Sequence, residues 1–390
     1  MKNRYVIYQI QSIMSEINLC GIGECTQCMA CMTICPQNCI SMQQSEAGFS
    51  IPKIDREVCI SCGLCVKSCH QINFVLDKNS PLVVFAAWNK NKDVRCLSSS
   101  GGIFSAFAEF IITKGGIVFG AAYVDALKVK HVGVEKLADL QRIRGSKYVQ
   151  SEIGNCYNEV KRALKSTRYV LFTGSPCQVA GLYSFLGKKY ETLFTCDFVC
   201  HGVPSQKAFD KYLEKINLSY FENSIFQFRD TKRWGFQLAI NGCNIRLKDT
   251  YYLKAFTRGY MFMENCYSCR YATPERISDI TMADFWGLGD TFNYSKRNGV
   301  SLLLINTEKG KKLISHCKDN LFMIERSMKE AVEGNYNLSN PSKRPVERDT
   351  YYNDSINLSK FQLIRKYDLS PSLRDYLRPI KRKIQSFIWR

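Results

Sequence analysis

From residue 82 onward the apolar positions follow two periods, and they describe a core of strands and helices in alternation. Leu82-Val-Val-Phe-Ala-Ala87 is an unbroken apolar run, the pattern of a strand buried on both faces. Ile103 to Thr113 places apolar residues on successive helical turns, and Gly115 to Tyr123 reads as a turn and a strand. Arg168 to Thr173 is a strand, Gly174-Ser-Pro-Cys177 a turn, Gln178 to Leu186 a helix closed by Gly187, and Leu193 to Val199 a second strand. Strand, helix and strand over about 35 residues is a crossover unit, so these two strands run parallel and their C-terminal loops share one edge. Ser278 to Gly287 and Ser301 to Gly310 add two more strand-and-turn units. Before residue 80 the pattern differs, with only Gly48 to Pro52 reading as a turn and short strand, and Asp77-Lys-Asn-Ser-Pro81 is a polar break. The fold class expected is α+β or α/β: a small N-terminal domain, then a mixed α/β core.

What that small domain lacks in apolar periodicity it has in cysteine. Cys25, Cys28, Cys31 and Cys35 are followed, 34 residues on, by Cys59, Cys62, Cys65 and Cys69. Both runs have the C-x₂-C-x₂-C-x₃-C spacing that holds 4Fe-4S clusters in bacterial ferredoxins, and Pro36 trails the first. The domain is therefore a ferredoxin-like dicluster duplication. Since the fourth cysteine of each run serves the other cluster, cluster one takes Cys25, Cys28, Cys31 and Cys69, and cluster two takes Cys59, Cys62, Cys65 and Cys35. The spacing does not match zinc-finger pairs, and disulfides would need an oxidising compartment. His70 stands where the first run has Pro36, adding a backbone N–H beside Cys69, a donor expected to raise the potential of cluster one.

The crossover unit carries a second chemical signal. Cys177 and Cys200 lie in the loops after its two strands, and at a strand spacing of roughly 4.8 Å both can touch one small object. Ligands of open α/β sheets lie at that edge. Cys266 and Cys269 form a further pair, so four thiolates are present for a third 4Fe-4S cluster, although a zinc site or buried apolar cysteines fit the same residues. Cys20, Cys39, Cys96, Cys156, Cys243 and Cys317 have no partner at ligand spacing and read as structural. A Ser-rich, Gly-rich turn, Ser98 to Gly102, opens the helix at Ile103 and offers free N–H groups to a phosphate, or simply caps the helix. In the loop Gly145 to Ser151, Lys147 could meet a phosphate and Tyr148 could stack on a ring.

Composition narrows the class. The 390 residues are 45% apolar and 23% charged, enough for two or three domains. Met1 to Cys20 is too interrupted by polar residues for a signal peptide. The most apolar window, Ile103 to Tyr123, contains Glu109, Lys114 and a Gly115-Gly116 break, so it does not read as a membrane span. A cytoplasmic protein with its 19 cysteines reduced or metal-bound is expected. The net charge of +19, without any nucleic-acid-binding motif, points to an acidic electron carrier such as ferredoxin or flavodoxin and to anionic cofactors, the bland alternative being a solvated basic surface. From Pro341 the chain turns basic and loses its apolar runs; Leu373 to Arg390 could touch a membrane surface peripherally or pack on the domain, with Pro379 interrupting it.

At Ser98-Ser-Ser-Gly-Gly102, Thr173-Gly-Ser-Pro-Cys177-Gln178, Asp197-Phe-Val-Cys200-His-Gly202 and Asp279-Ile-Thr-Met-Ala-Asp284-Phe-Trp-Gly287 the chain resembles the beta subunit family of coenzyme F-420 hydrogenases and dehydrogenases. It looks like the bacterial form with a dicluster ferredoxin fused in front. The resemblance covers about residues 20–340 and implies the dicluster domain over 20–78, the N-terminal region of the beta subunit over 82–165 and its C-terminal region over 166–340; a short leader over 1–19 and the basic tail over 341–390 flank it. It further implies FAD and an iron-sulfur cluster in the core, with Cys177, Cys200, Cys266 and Cys269 as ligands and Ser99, Ser100, Gly101, Gly102, Lys147 and Tyr148 toward FAD. A flavin joins one-electron carriers to two-electron chemistry, so the expected activity is that of an iron-sulfur flavoprotein oxidoreductase. His201 and Asp284 are the polar groups nominated for proton transfer, or else they brace their loops. The small-molecule acceptor is the deazaflavin or an unidentified substrate, possible ones including those of surface polysaccharide metabolism. A non-catalytic electron-transfer subunit and a purely structural cluster protein are the rival readings.

Overall fold

The computed structural model describes residues 17–73, 77–218, 224–229, 237–289, 291–373 and 375–376. Most of the leader expected over 1–19 and most of the stretch from Leu373 to Arg390 fall outside them.

In the N-terminal module, β1 (Ile40–Gln44) and β2 (Ser50–Ile54) pair antiparallel, with Ile40 opposite Ile54 and Gln44 opposite Ser50. Two short helices, Ala30–Ile34 and Leu64–Lys67, occupy equivalent places in the two repeats. The duplication extends to the backbone. Gln27 and Met29 have φ of 56° and 60°, and their counterparts Ser61 and Gly63 have 54° and 72°. Three of these four are not glycine, so the left-handed conformation costs energy that the surrounding structure must compensate.

The core begins with β3 (Val83–Asn89), then β4 (Ile117–Val124), β5 (Lys128–Val134), β6 (Val170–Thr173) and β7 (Leu193–Phe198). Three very short strands follow, β8 (Phe226–Gln227), β9 (Ala239–Ile240) and β10 (Cys243–Asn244), and then β11 (Ile280–Asp284), β12 (Ser301–Ile305) and β13 (Leu321–Glu325). Eight of them form one sheet in the order β13-β3-β12-β11-β7-β6-β4-β5. The four central strands β11, β7, β6 and β4 are mutually parallel, with Phe172 beside Thr195 and Ile280 beside Cys196. The flanking strands pair antiparallel with their neighbours.

Alternation assigns the faces. Val118, Leu171 and Phe194 join the helices Ile103–Thr113 and Glu308–Cys317 in one apolar cluster, whereas their neighbours Ile117, Val170, Phe172 and Leu193 join the helices Cys156–Lys165 and Pro176–Leu186 in another. With both faces covered, the parallel strands are apolar throughout, which is why they were readable as unbroken runs.

A separate core gathers the helices Gln206–Lys215 and Tyr251–Thr257, the small sheet of β8, β9 and β10, and the helices Arg348–Asn357 and Lys360–Lys366. The last two lie in the stretch that the sequence presents as a basic tail. They fold because Tyr351, Tyr352, Leu363, Tyr367 and Leu369 are buried in this cluster. Tyrosine there supplies the apolar surface that a search for Leu, Ile and Val runs does not register.

Candidate functional site

Both quartets assigned in the N-terminal module are assembled across the repeats. Cys25, Cys28, Cys31 and Cys69 line one small cavity, and Cys35, Cys59, Cys62 and Cys65 line another. The left-handed residues flank the second cysteine of each run, Gln27 and Met29 around Cys28, Ser61 and Gly63 around Cys62. Alternating left- and right-handed backbone turns successive N–H groups inward, a cradle that suits an anionic iron-sulfur cluster; the Gln27 N–H already donates to Cys25 Sγ at 3.3 Å. Burial pushes the Cys25 thiol up to about 11 and that of Cys28 to about 12, so thiolates there need a compensating cation, which iron supplies. Among the described residues no three of His, Cys, Asp or Glu close around a point as a single metal ion requires.

Two cysteines that read as structural belong beside these quartets. Cys20 Sγ is 3.6 Å from Cys69 Sγ and Cys39 Sγ is 3.4 Å from Cys35 Sγ, and each lines the corresponding cavity. Their spacing carries no ligand signal, so sequence alone could not place them. His70 is fully buried, and its ring links Thr26 Oγ1, at 3.0 Å from Nε2, to the Tyr271 hydroxyl on Nδ1. Backbone donors acting on Cys69 include Gln71 and Ile72.

The third set comes together at the edge of the parallel strands. Ser175 caps the helix Pro176–Leu186 in a reciprocal box with Gln178, and Pro176 opens it, which fixes Cys177 in the first turn. Cys200 follows β7 by two residues, Cys266 lies in the single turn Glu264–Ser268, and Cys269 comes directly after it. The four thiols act on one another electrostatically, and burial raises the pKa of each, that of Cys200 to about 12. Cys196, inside β7, is buried in the sheet. The first quartet is close by: a Cβ added to Gly181, in the helix that Cys177 begins, would lie 2.7 Å from Cys28 Cβ and 2.9 Å from its Sγ.

A cavity of about 500 Å³ lies beyond the third set. Ser99, Lys147, Arg142, Arg144 and Arg229 line it among the described residues, together with the carboxylate of Asp125 and the aromatic rings of Tyr123, Phe226 and Phe228. The two loops nominated separately for a cofactor meet here, since Ser99 Oγ accepts the Ser146 N–H at 2.9 Å. Lys147 Nζ donates to the carbonyls of Arg144 at 2.7 Å and Arg142 at 3.3 Å, and burial draws its pKa down to about 7. Ser100, Gly101 and Gly102 lie elsewhere. Ser100 Oγ donates to the Val300 carbonyl, the Gly101 N–H to Ser301 Oγ, and Gly102 begins the helix Ile103–Thr113, so these three brace the turn against β12.

Tyr148 is half-buried beside the cavity, its ring stacked on Phe256 at 4.6 Å and tilted against Phe228 at 5.1 Å. Phe256 meets Phe262 at 5.0 Å, and Phe262 packs so tightly on Gly202 that a Cβ there would come within 2.6 Å of its ring. Since Gly202 is two residues from Cys200, packed aromatic rings connect the cavity wall to the third thiol set. Asp284, at the end of β11, forms a two-pronged pair with Arg229 at 2.6 and 3.2 Å. His201 is exposed, its carbonyl accepts the Ser342 hydroxyl, and Asp284 and Arg229 are the charges acting on its ring. Sequence reasoning missed Arg142, Arg144 and Arg229. The first two adjoin the nominated loop and were the available signal; Arg229 follows a two-residue strand too short to notice.

Four cations, aromatic walls and a volume within the range of cofactor pockets suit a dinucleotide with an anionic diphosphate and a planar ring. Residues 167–331 match the family model described as the C terminus of the beta subunit of coenzyme F420 hydrogenase/dehydrogenase, and residues 24–71 match the 4Fe-4S dicluster domain. The chain is similar to NADH-quinone oxidoreductase subunit I of Pelobacter propionicus, 36% identical over 70 residues, which is 16% of this chain and 37% of that protein. The match thus spans little more than a third of that relative's length. Among solved structures it is similar to a chain of the F420-reducing nickel-iron hydrogenase complex of Methanosarcina barkeri, at 18% identity and a TM-score of 0.45, over 75% of this chain and 94% of that one.

Proposed function

The chain belongs to the coenzyme F-420 hydrogenase/dehydrogenase beta subunit family, with a 4Fe-4S dicluster domain in front, and from that premise we propose that it is an iron-sulfur flavoprotein oxidoreductase joining a low-potential electron carrier to a two-electron acceptor. The acceptor is the deazaflavin coenzyme F-420 or another small molecule, surface polysaccharide metabolism being one source of such substrates. The observation that carries the reading is the order of sites: two cysteine quartets, a third set packed against the first, and aromatic rings from the third to a cationic cavity. When bound, clusters supply one-electron transfer and FAD supplies the change to two-electron chemistry.

The residues of the chain have separable tasks in this reading. The twelve cysteines at 25, 28, 31, 35, 59, 62, 65, 69, 177, 200, 266 and 269 hold three clusters. Cys62 is exposed while Cys28 is buried against the core, so the second quartet faces an acidic carrier such as ferredoxin or flavodoxin and the first faces inward. Ser99, Arg142 and Lys147 bind the cofactor's phosphates, while Arg144, whose guanidinium is held by Ser105 and Glu109, supports Lys147 through its carbonyl. Tyr148 supports the aromatic wall. Arg229 in the cavity wall is paired with Asp284 and the two hold the wall in place, and the exposed His201 exchanges protons with solvent.

Iron, sulfide and flavin assays on anaerobically purified protein test this, with about 12 iron atoms and one FAD per chain expected. About eight iron atoms would remove the third cluster, and absent flavin would remove the flavoprotein reading. Turnover by the isolated chain with reduced ferredoxin and a panel of acceptors that includes the deazaflavin separates an enzyme from a subunit that serves a partner.

A further inference from the structure

Arg276 carries a charge in the interior: its side chain is 2% exposed, which is unusual for arginine and demands specific partners. Its guanidinium reaches three separate segments. Nη1 donates to the carbonyls of Tyr271 at 2.9 Å and Thr273 at 3.2 Å, in the loop leaving Cys269. Nη2 donates to the carbonyl of Phe198 at 3.4 Å and lies 3.1 Å from the Asp197 carboxylate, on the strand leading to Cys200. Nε donates to Thr281 Oγ1 at 3.2 Å on β11, and that hydroxyl donates in turn to Asp197 Oδ1 at 2.5 Å. The backbone of Arg276 is itself pinned, its N–H and carbonyl pairing with Asn79 at 2.8 and 2.7 Å.

The loops that Arg276 joins are those that bring Cys200 and Cys269 to one place. They come from positions some seventy residues apart in sequence, and neither is part of a regular element at the cysteine. A planar fork of fixed geometry can hold carbonyls on two loops at once, whereas the point charge of lysine cannot. The guanidinium is also near enough to both thiols to act on them electrostatically. Asp197 and Thr281, two residues of the motifs that carried the family resemblance, are thereby given a task that touches neither cofactor nor substrate directly.

We propose that Arg276 is the positioning residue of the third cysteine set: its fork fixes Cys200 relative to Cys269, and its charge, balanced by Asp197, sets the potential of a cluster held there. The proposal rests on the reading of Cys177, Cys200, Cys266 and Cys269 as cluster ligands. In the full chain, Arg276→Lys retains the charge and loses the fork, so it selectively loses about four of about twelve iron atoms, the same four that Cys266→Ser loses. Signals of the two N-terminal clusters persist in the EPR spectrum of the dithionite-reduced variant. Asp197→Asn keeps the fork on its carbonyls and removes the counter-charge, so all iron is retained and the potential of the third centre rises in a redox titration followed by EPR.

Arg276→Lys with full iron and an unchanged third signal would overturn the positioning role. An unshifted potential in Asp197→Asn would overturn the electrostatic one. Parallel loss of all three clusters with a lowered unfolding midpoint in both variants would reduce the pair to a general folding element and overturn both. A wild-type chain with about eight iron atoms, unchanged by Cys266→Ser, would refute the underlying reading itself, which is a distinct result.

Discussion

Lys147 is the residue at which charge, burial and the cavity meet most directly. Its ammonium is satisfied by two carbonyls, lies 5.7 Å from the Tyr123 ring, and has its pKa drawn from 10.5 to about 7 by desolvation. The sign of the effect follows: below pH 7 the group is mainly protonated and attracts an anion, and as pH rises through 7 that attraction is lost. A charge-assisted hydrogen bond contributes roughly 1.5–3 kcal/mol, so affinity for FAD should fall about tenfold or more between pH 6 and pH 8.5. Equilibrium dialysis of the flavin-stripped protein would show this, with Lys147→Gln weak and flat across the range and Lys147→Arg tight and flat. A wild-type profile as flat as that of the glutamine variant would detach Lys147 from the phosphates.

The helix Pro176–Leu186 does more than connect two strands. Cys177 is in its first turn, and Gly181, one turn on, lets the N-terminal module approach: an added Cβ would come within 2.7 Å of both Cys28 Cβ and the Tyr157 hydroxyl. Overpacking of this kind costs about 1–3 kcal/mol. Gly181→Ala should therefore lower the midpoint of denaturant unfolding and weaken the first quartet, so that iron falls toward eight per chain while Cys59, Cys62 and Cys65 keep theirs; full iron and an unchanged midpoint would mean that the module shifts without cost. This helix was legible from Gln178 onward, but its true start needed Ser175 and Pro176 to be read as cap and first residue. The parallel strands were legible because burial on both faces leaves them apolar, and the crossover rule then placed Cys177 and Cys200 on one edge. Illegible were Arg229 and the positions of Cys20 and Cys39, which depend on contacts between segments distant in sequence. The helices Arg348–Asn357 and Lys360–Lys366 were obscured for another reason, since their buried faces are tyrosine-rich among basic residues.

At the scale of the whole molecule, the N-terminal module is not a bead on a linker. Cys28, Met29 and Ala30 belong to the same buried apolar cluster as Ile117, Phe119, Tyr157 and Phe172 of the core. Phe49 lies in the other core cluster, edge-on to Tyr352 at 5.6 Å. Polar ties run alongside: Ser205 Oγ donates to the Ala47 carbonyl at 2.6 Å, Asn265 Nδ2 to the Glu24 carbonyl at 2.8 Å, and His70 meets Tyr271. Domains joined by small polar interfaces move and unfold separately, whereas a shared apolar core couples them. The module and core should therefore unfold in one transition. Anaerobic guanidinium titration followed by tryptophan fluorescence, to which Trp88 and Trp286 of the core contribute among the chain's four tryptophans, and by the visible absorbance of the N-terminal clusters would give coincident midpoints in a flavin-stripped chain whose third set is removed by Cys266→Ser. Loss of the visible absorbance at clearly lower denaturant than the fluorescence change would mean that the module detaches first. The buried contacts of Cys28 and Phe49 would then contribute less than the free energy that holds the core together.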